Sequence, residues 1–314
     1  MDFYDLAGID WWSTQCFYHA LAYLGREGLI ICYPTGPYVC LGLHDDLDQE
    51  IDRAYCEAHG LPLLRRETGG GVVYLDRNQI FFQLVLRRDN PALPLRRQRL
   101  YERFLQPAIR ACRFYGLPAE LRAPADITVG GCKCSGNAAG DIGECVAYVG
   151  NILLDFDFDL MCRLLRVPGP DFRACLRAAM RRYLTTLADW LSVPPSHLQL
   201  STALAAGFAE EFGPLNRRRP DEELEAEAER LRGRLTGRSW LSLPGHRRRE
   251  RRIKIAEGVY LVEQGGARGE NGALLLEEGG VADRADCPDL LADEELPPSY
   301  NAGDRRPDAL PVEA

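Results

Sequence analysis

Three consecutive glycines, Gly69-Gly70-Gly71, follow two arginines and lie between two apolar runs. Leu61 to Leu64 enters the segment as an expected strand. Val72, Val73 and Tyr74 leave it as another, with Asp76 just beyond. Glycine has no Cβ and tolerates positive φ, so three in a row let backbone N–H groups come close to a ligand. Arg65 and Arg66 add forked donors suited to a carboxylate or a phosphate. A tight hairpin flanked by surface arginines would use the same residues. A second stretch shifts the balance: Gly130-Gly131-Cys132-Lys133-Cys134-Ser135-Gly136-Asn137-Ala138-Ala139-Gly140. One long cation rises there from a backbone with little bulk around it. Such a site accepts a bulky anionic ligand and places a single ammonium at its charged centre.

The choice of cation carries information. Of 38 basic residues only two are lysines, Lys133 and Lys254. A surface drawn from this pool uses arginine for generic charge, so lysine is the marked residue. It is a compact point charge, whereas arginine is a planar fork. Neither glycine stretch fits the common nucleotide loops. The Walker spacing Gly-x-x-x-x-Gly-Lys-Ser/Thr is absent around Lys133, and no Gly-x-Gly-x-x-Gly follows a first strand.

The net charge of −8 argues against nucleic acid as the main partner. No apolar run reaches membrane-spanning length, and the acidic start Met1-Asp2-Phe3-Tyr4-Asp5 has no basic n-region, so a cytoplasmic protein is expected. The 11 cysteines lie mostly in apolar surroundings, as Cys32, Cys40 and Cys112 do, and read as reduced core thiols.

Periodicity places helices at 13–26, Leu47 to His59, 97–115, Leu160 to Leu165, 172–191 and 197–212. Another starts after Pro220, with acids in its first turn where the helix dipole favours them. Strands are expected at Leu29 to Tyr33, Tyr38 to Leu41, Asp126 to Val129, Val146 to Asp155, Trp240 to Leu243, Ile253 to Val262 and Ala273 to Glu277. Gln79 to Leu86 is β-rich and reads as a central strand. Residues 1–235 form one domain in this reading, residues 236–296 a small second one, and 297–314 a disordered tail.

Taken together, Arg65-Arg66-x-Thr68-Gly69-Gly70-Gly71-x-Val73 with Asp76, then Asp126-Ile127, Gly131-x-Lys133-x-Ser135-Gly136-x-Ala138 and Gly150-x-x-Leu153-Leu154-Asp155 resemble the lipoate–protein ligase family in order and spacing. The resemblance spans roughly residues 10 to 165 and extends more broadly to biotin ligases and octanoyltransferases. It implies an α+β fold: a mixed β-sheet catalytic domain with flanking helices plus a small α/β accessory domain. It also implies lipoate as substrate, ATP and Mg²⁺, and a two-step reaction through lipoyl-AMP. The implied partner is a lipoyl-domain acceptor: a 2-oxoacid dehydrogenase E2, the glycine-cleavage H-protein or a specialised lipoate-binding protein.

Carried over residue by residue, Arg66 and the backbone of Gly71, Val72, Val73 and Tyr74 would hold the nucleotide. Gly69 and Gly70 would make room beside the acyl chain. Lys133 would be catalytic, touching the acyl carbonyl and the adenylate phosphate, with Ser135 and Gly136 beside it. Asp126 would sit near the phosphates and help hold Mg²⁺. The segment Lys254 to Val262 with Gly280-Val281-Ala282-Asp283 resembles the accessory domain, which moves between half-reactions in that family.

The chain departs from the family pattern at Ala125, where Asn is usual, and at Tyr148 and Val149, where His residues are common. Cys132 and Cys134 flank Lys133 where Arg and Ile are common. Related transferases use a cysteine nucleophile without ATP, which makes Cys132, Cys134 and Cys145 candidates for an alternative mechanism. In an extended segment, however, Cys132 and Cys134 point away from the face of Lys133. A non-catalytic lipoyl-domain binder and a biotin ligase are the other readings.

Overall fold

The computed structural model describes residues 1–94, 97–265 and 271–277. The chain begins with β1 (Asp2–Ile9), α1 (Ser13–Tyr23), β2 (Gly28–Pro34), β3 (Tyr38–Leu41) and two short helices, α2 (Leu47–Glu50) and α3 (Arg53–Ala58). Strands β4 (Leu63–Arg65) and β5 (Val73–Leu75) flank the triple glycine, and β6 (Gln79–Arg87) follows. Helices α4 (Arg97–Phe104) and α5 (Gln106–Phe114) lead to β7 (Ala119–Arg122), β8 (Asp126–Val129), β9 (Cys132–Ser135), β10 (Asn137–Ile142) and β11 (Cys145–Leu153). Then come α6 (Phe158–Leu164), α7 (Pro170–Tyr183), α8 (His197–Phe212), β12 (Asn216–Arg217), α9 (Glu222–Leu235) and α10 (Arg238–Leu241). The last strands described are β13 (Arg252–Ala256), β14 (Val259–Gly265) and β15 (Asn271–Glu277).

Six strands form a mixed sheet in the order β10-β11-β6-β2-β1-β12. From β10 to β2 neighbours are antiparallel; β2, β1 and β12 run parallel. Strand β6 is buried along its first eight residues, as expected of a mostly apolar strand covered on both faces, with Gln83 buried in its middle and donating to Thr14 O at 2.7 Å. Its alternation splits the core. Phe82, Leu84 and Leu86 pack with α5 and α8, while Phe81 and Val85 pack with α1 and α9.

Three small sheets surround this frame: β4-β3-β5, which carries the triple glycine; β7-β8-β9, which carries Lys133; and β13-β14-β15. Ile253, Ile255, Val259, Leu261 and Leu275 of the last sheet share one apolar cluster with Phe172, Leu176 and Met180 of α7 and with Tyr74 of β5. The expected boundary at residue 236 falls between α9 and α10. Gly280-Val281-Ala282-Asp283 and residues 297–314 lie outside the described residues. Among the described residues no helix is long and apolar enough to cross a membrane.

Four expected elements differ, each for a local reason. Leu47 to His59 is two helices, because Ile51 is drawn into a bridge with Leu165 and Asp52 caps a new start through Tyr55 N at 3.0 Å. Residues 97–115 divide at Leu105, with Pro107 in the first turn of the second helix. The helix from 172 stops at Tyr183, since Leu184 bridges to Lys133. Trp240 is helical rather than extended, and its indole N–H donates to the Arg65 carbonyl at 2.9 Å. Strand β1 was not expected from its acidic, mixed sequence; its pairing with β2 and β12 makes it.

Candidate functional site

Arg65 and Arg66 hold the glycine segment in two different ways. The Arg65 side chain is fully buried. Its guanidinium donates to the carbonyls of Leu43 at 3.1 Å and Asp45 at 2.6 Å, and to those of Leu241 at 2.6 Å and Leu243 at 3.3 Å. It therefore ties the loop after β3 to the stretch after α10. Arg66 turns back on its own loop, donating to Gly69 O at 2.8 Å, Gly71 O at 2.9 Å and Cys40 O at 3.2 Å. Its fork sets the shape of the glycine loop in this conformation.

The loop needs glycine where it is crowded and is open where it is not. Gly70 adopts φ +89°, and a Cβ on Gly42 would fall 1.9 Å from the Gly70 carbonyl oxygen. A Cβ on Gly69 or Gly71 would meet nothing within 4 Å. The open side leaves room for a bound group at the backbone amides of the loop.

His19 anchors the entry to this loop. Its Nδ1–H donates to Gln15 O at 2.7 Å, so Nε2 is the acceptor for Glu67 N–H at 3.1 Å. The Glu67 carboxylate accepts from Tyr23 Oη at 2.8 Å and pairs with Arg234 of α9. Burial keeps His19 neutral and lowers its pKa to about 3. An unfolded histidine titrates near 6.5, so the unfolded chain takes up the extra proton below that pH. His19 therefore contributes stability that is complete above about pH 6.5 and declines as pH falls toward 3. Between pH 6.5 and 5 this group alone costs wild type about 2 kcal/mol. Urea midpoints at pH 7.5 and 5.0 are expected to differ by that much less in His19→Gln. Equal pH dependence in the two proteins would remove His19 from the acid response.

Lys133 sits on β9 with its ammonium 2.8 Å from Asp126 Oδ1 on β8. Asp126 is 3% exposed, and its Oδ2 accepts from Glu257 N–H at 2.6 Å, in the turn between β13 and β14. The Lys133 backbone is fixed on its other edge, where Thr185 N–H donates to Lys133 O at 2.8 Å. Trp190 packs on Gly130, whose Cβ would lie 2.4 Å from the indole.

A chain of amides joins the two glycine segments. Gly136 N–H donates to Asn151 Oδ1 at 2.6 Å, Asn151 Nδ2 to Gln79 Oε1 at 2.5 Å, and Gln79 Nε2 to Tyr74 O at 3.1 Å. Ser135 is buried and its Oγ accepts from Asn137 Nδ2 at 2.9 Å; the same Asn137 amide reaches Ala125 O at 2.8 Å. Thr68 lies over Gly140, where a Cβ would come 3.1 Å from the Thr68 Cα. Cross-strand pairs project to the same side, and the pairs Ala138–Val149 and Gly140–Ala147 lay a narrow strip of small side chains beside Thr68.

The sequence-derived residues are thus gathered as follows. Gly69, Gly70, Gly71, Val72, Val73 and Tyr74 lie on one loop and strand. Asp126, Lys133 and Ser135 lie on the β7-β8-β9 sheet and Gly136 just after it, linked to Tyr74 through Asn151 and Gln79. Asn151, Gln79, Asn137, His19 and Glu257 were missed. For Gln79 and Asn151 the available signal was a polar residue within an otherwise apolar strand. Tyr148 packs in the aromatic core, 5.5 Å from Phe104 and 6.3 Å from Phe82, and its hydroxyl donates to Asn137 Oδ1 at 3.3 Å, so it touches the site only through that amide.

Nine cysteines carry free thiols among the described residues, eight of them buried; Cys175 is disulfide-bonded, against the expectation of reduced thiols. Cys132 is half-buried; its thiol points to Arg182 O at 3.3 Å, and burial raises its pKa. Cys134 lies in the core, and its pKa is raised by a hydrogen bond with the Cys112 thiol and by burial. Burial also raises Cys145. It lies six residues along β11 from Asn151, about 20 Å at the usual strand rise.

As for metals, among the described residues no group of three His, Cys, Asp or Glu could hold an ion. Asp126 is a lone carboxylate with both oxygens engaged, so the residues present do not fit a protein-held Mg²⁺. A separate cavity of about 560 Å³ is lined by Asp5, Tyr33, His197 and Arg217 among others; none of its lining residues comes from the glycine segments.

A family model described as the lipoyl protein ligase A/B catalytic domain matches residues 13–209. Lipoate–protein ligase 1 of Staphylococcus aureus is 26% identical over 169 residues, which is 54% of this chain and 50% of that protein. Octanoyltransferase LipM of Kyrpidia tusciae is 27% identical over 199 residues, 56% of this chain and 72% of that one. The match therefore spans about half the length of the ligase relative. Among solved structures, the bipartite lipoate protein ligase of Thermoplasma acidophilum, described with its E2 lipoyl domain, superposes with a TM-score of 0.68 at 21% identity, covering 78% of this chain and 98% of that one.

Proposed function

We propose, for a chain that belongs to the lipoyl protein ligase A/B catalytic-domain family, that it activates lipoate with ATP and passes the lipoyl group to a lysine of an acceptor lipoyl domain. A carboxylate is a poor acylating agent because its leaving group would be oxide. In the first step a carboxylate oxygen bonds to the α-phosphorus of ATP and the bond to pyrophosphate breaks. In the second the acceptor amine bonds to the acyl carbon, AMP leaves with the electron pair, and the new ammonium gives a proton to solvent.

The observation that supports this reading is the Lys133 ammonium, steadied by a buried carboxylate, on a strand whose end is joined through Asn151 and Gln79 to Tyr74, on the strand leaving a glycine loop with an open side. Lys133 is the catalytic residue in this proposal. Its charge meets the anionic oxygens that develop in both steps. The amides of Gly69, Gly70 and Gly71 serve the nucleotide phosphates, with the backbone from Val72 to Tyr74 beside its base. Arg66 shapes that loop and Ser135 and Gly136 fix the strand that presents Lys133. Mg²⁺ would enter with the nucleotide, and no step is assigned to it. The acceptor in this proposal is a lipoyl domain, of a 2-oxoacid dehydrogenase E2, a glycine-cleavage H-protein or a specialised lipoate-binding protein; the Thermoplasma ligase structure described with its E2 lipoyl domain supports the first.

The ATP-independent transferase is the second reading, because an octanoyltransferase is as similar in sequence as a ligase. The placement of the thiols weighs against it. Cys134 is in the core, Cys132 faces Arg182 O, and Cys145, two residues beyond the Gly140–Ala147 pair, is buried with its pKa raised by that burial. Pyrophosphate release from ATP, with and without lipoate, separates the two. Lipoate-dependent release is expected. A folded protein that releases none, yet moves octanoyl from a carrier protein to a lipoyl domain, would replace the ligase with the transferase.

The strip beside Thr68 makes a further prediction. Gly140→Val places two methyl groups where a single Cβ already stands 3.1 Å from the Thr68 Cα. The KM for an eight-carbon acid is expected to rise about tenfold or more, the effect of 1–3 kcal/mol of overpacking, with the KM for ATP little changed. Equal increases in both constants would mean general damage rather than a narrowed acyl path.

A further inference from the structure

We infer that the third small sheet completes the reactive site: the backbone N–H of Glu257, at the tip of the β13–β14 turn, holds Asp126 in the position from which it fixes the Lys133 ammonium. This deepens the reading of Lys133 as the catalytic residue, but its geometry stands whichever reaction the site performs. Asp126 is 3% exposed and meets one donor on each carboxylate oxygen, Lys133 Nζ at 2.8 Å and Glu257 N–H at 2.6 Å. A buried carboxylate bonded at both oxygens cannot rotate without losing a charge-assisted hydrogen bond. The turn amide thus sets the angle of the group that sets Lys133.

The turn is built to offer that amide. Ala256 pairs with Val259, so Glu257 and Gly258 form a two-residue hairpin. Gly258 has φ +75° and Glu257 is not among the positive-φ residues, the signature of a type II turn. The first central N–H of such a turn lies outside the ladder and is free to point outward. Ile253, Ile255, Val259 and Leu261 seat the hairpin against α7, and the Glu257 carboxylate is occupied separately by Lys254 at 2.6 Å. Asp126 and Glu257 are 131 residues apart in the chain. Any displacement of the hairpin therefore loosens Asp126 and changes how firmly Lys133 is held.

Because the chain has only two lysines, Lys133 and Lys254, amine labelling with mass spectrometry reads each without ambiguity. We would label wild type, Glu257→Pro and Glu257→Ala with acetic anhydride. Proline suits the first central position of a type II turn and removes the N–H together with the carboxylate that meets Lys254. Alanine keeps the N–H and removes the partner of Lys254. Lys254 should label faster in both variants. Lys133 should label about tenfold faster in Glu257→Pro alone, the factor for one charge-assisted hydrogen bond. If acid-dependent pyrophosphate release is present, it should fall in kcat and not in KM for the acid. Identical Lys133 labelling in the two variants, both folded, overturns the inference, and this holds even if the protein releases no pyrophosphate. Should Glu257→Pro fail to fold, hydrogen exchange at the Glu257 amide is compared in wild type and Asp126→Ala: faster exchange without Asp126 supports the link, and equal exchange ends it.

Discussion

Lys133→Ala is expected to lower acid-dependent pyrophosphate release by about a hundred- to a thousandfold, the loss seen when one donor to a developing anion is removed, or roughly 2.7–4 kcal/mol of transition-state stabilisation. The substitution has a second effect that must be separated from the first. It leaves Asp126, 3% exposed, with a single donor, the Glu257 amide. An uncompensated buried charge costs about 3–5 kcal/mol of stability. The double variant Lys133→Met with Asp126→Asn removes both charges together. It is expected to recover most of the folding stability, read as a urea midpoint, and none of the activity. Recovery of activity along with stability would mean that Lys133 matters only for holding the sheet together. Full pyrophosphate release by folded Lys133→Ala would exclude it as the catalytic group.

Arg65→Met is expected to destabilise the fold by about 3–5 kcal/mol, among the larger single-residue effects. The side chain is fully buried and serves carbonyls from two separate segments, at Leu43 and Asp45 on one side and Leu241 and Leu243 on the other. Each bond to a charged donor contributes about 1.5–3 kcal/mol, and a carbonyl left buried without a donor costs more than its bond was worth. Methionine fills the volume but supplies no donor. Lysine should rescue little, since one ammonium cannot reproduce a planar fork that reaches both segments. Denaturant melts of Arg65→Met and Arg65→Lys, with limited proteolysis between Leu241 and Gly245, test this. A midpoint within about 0.5 kcal/mol of wild type would reduce Arg65 to an ordinary surface-type charge.

Arg65 also shows what the sequence leaves open. Two adjacent arginines before three glycines were read as ligand-binding forks, Arg66 by name. Both donate to backbone carbonyls, Arg66 to its own loop and to Cys40, and Arg65 to segments 20 to 178 residues away. Nothing local distinguishes a guanidinium that meets a phosphate from one that meets carbonyls, because both are acceptor clusters.

What the sequence determined by itself is whatever depends on short-range chemistry. The glycine segments are visible because loops with positive φ or close backbone approach need residues without a Cβ, as at Gly70 and Gly42. Strand β6 is visible because burial on both faces favours a dense run of apolar and β-prone residues, which Gln83 interrupts only once between Ile80 and Leu86. Lys133 is marked by being one of two lysines, and its family follows from the order of the motifs. Tertiary structure alone decided the partners. Ile51 leaves a helix for Leu165, the helix from 172 ends where Leu184 meets Lys133, and Asp126 finds its donors at Lys133 and Glu257. A helix breaks, or a carboxylate is held, when a strand or amide far away in the chain offers a better bond than the local one, and that comparison exists only once the chain has closed on itself.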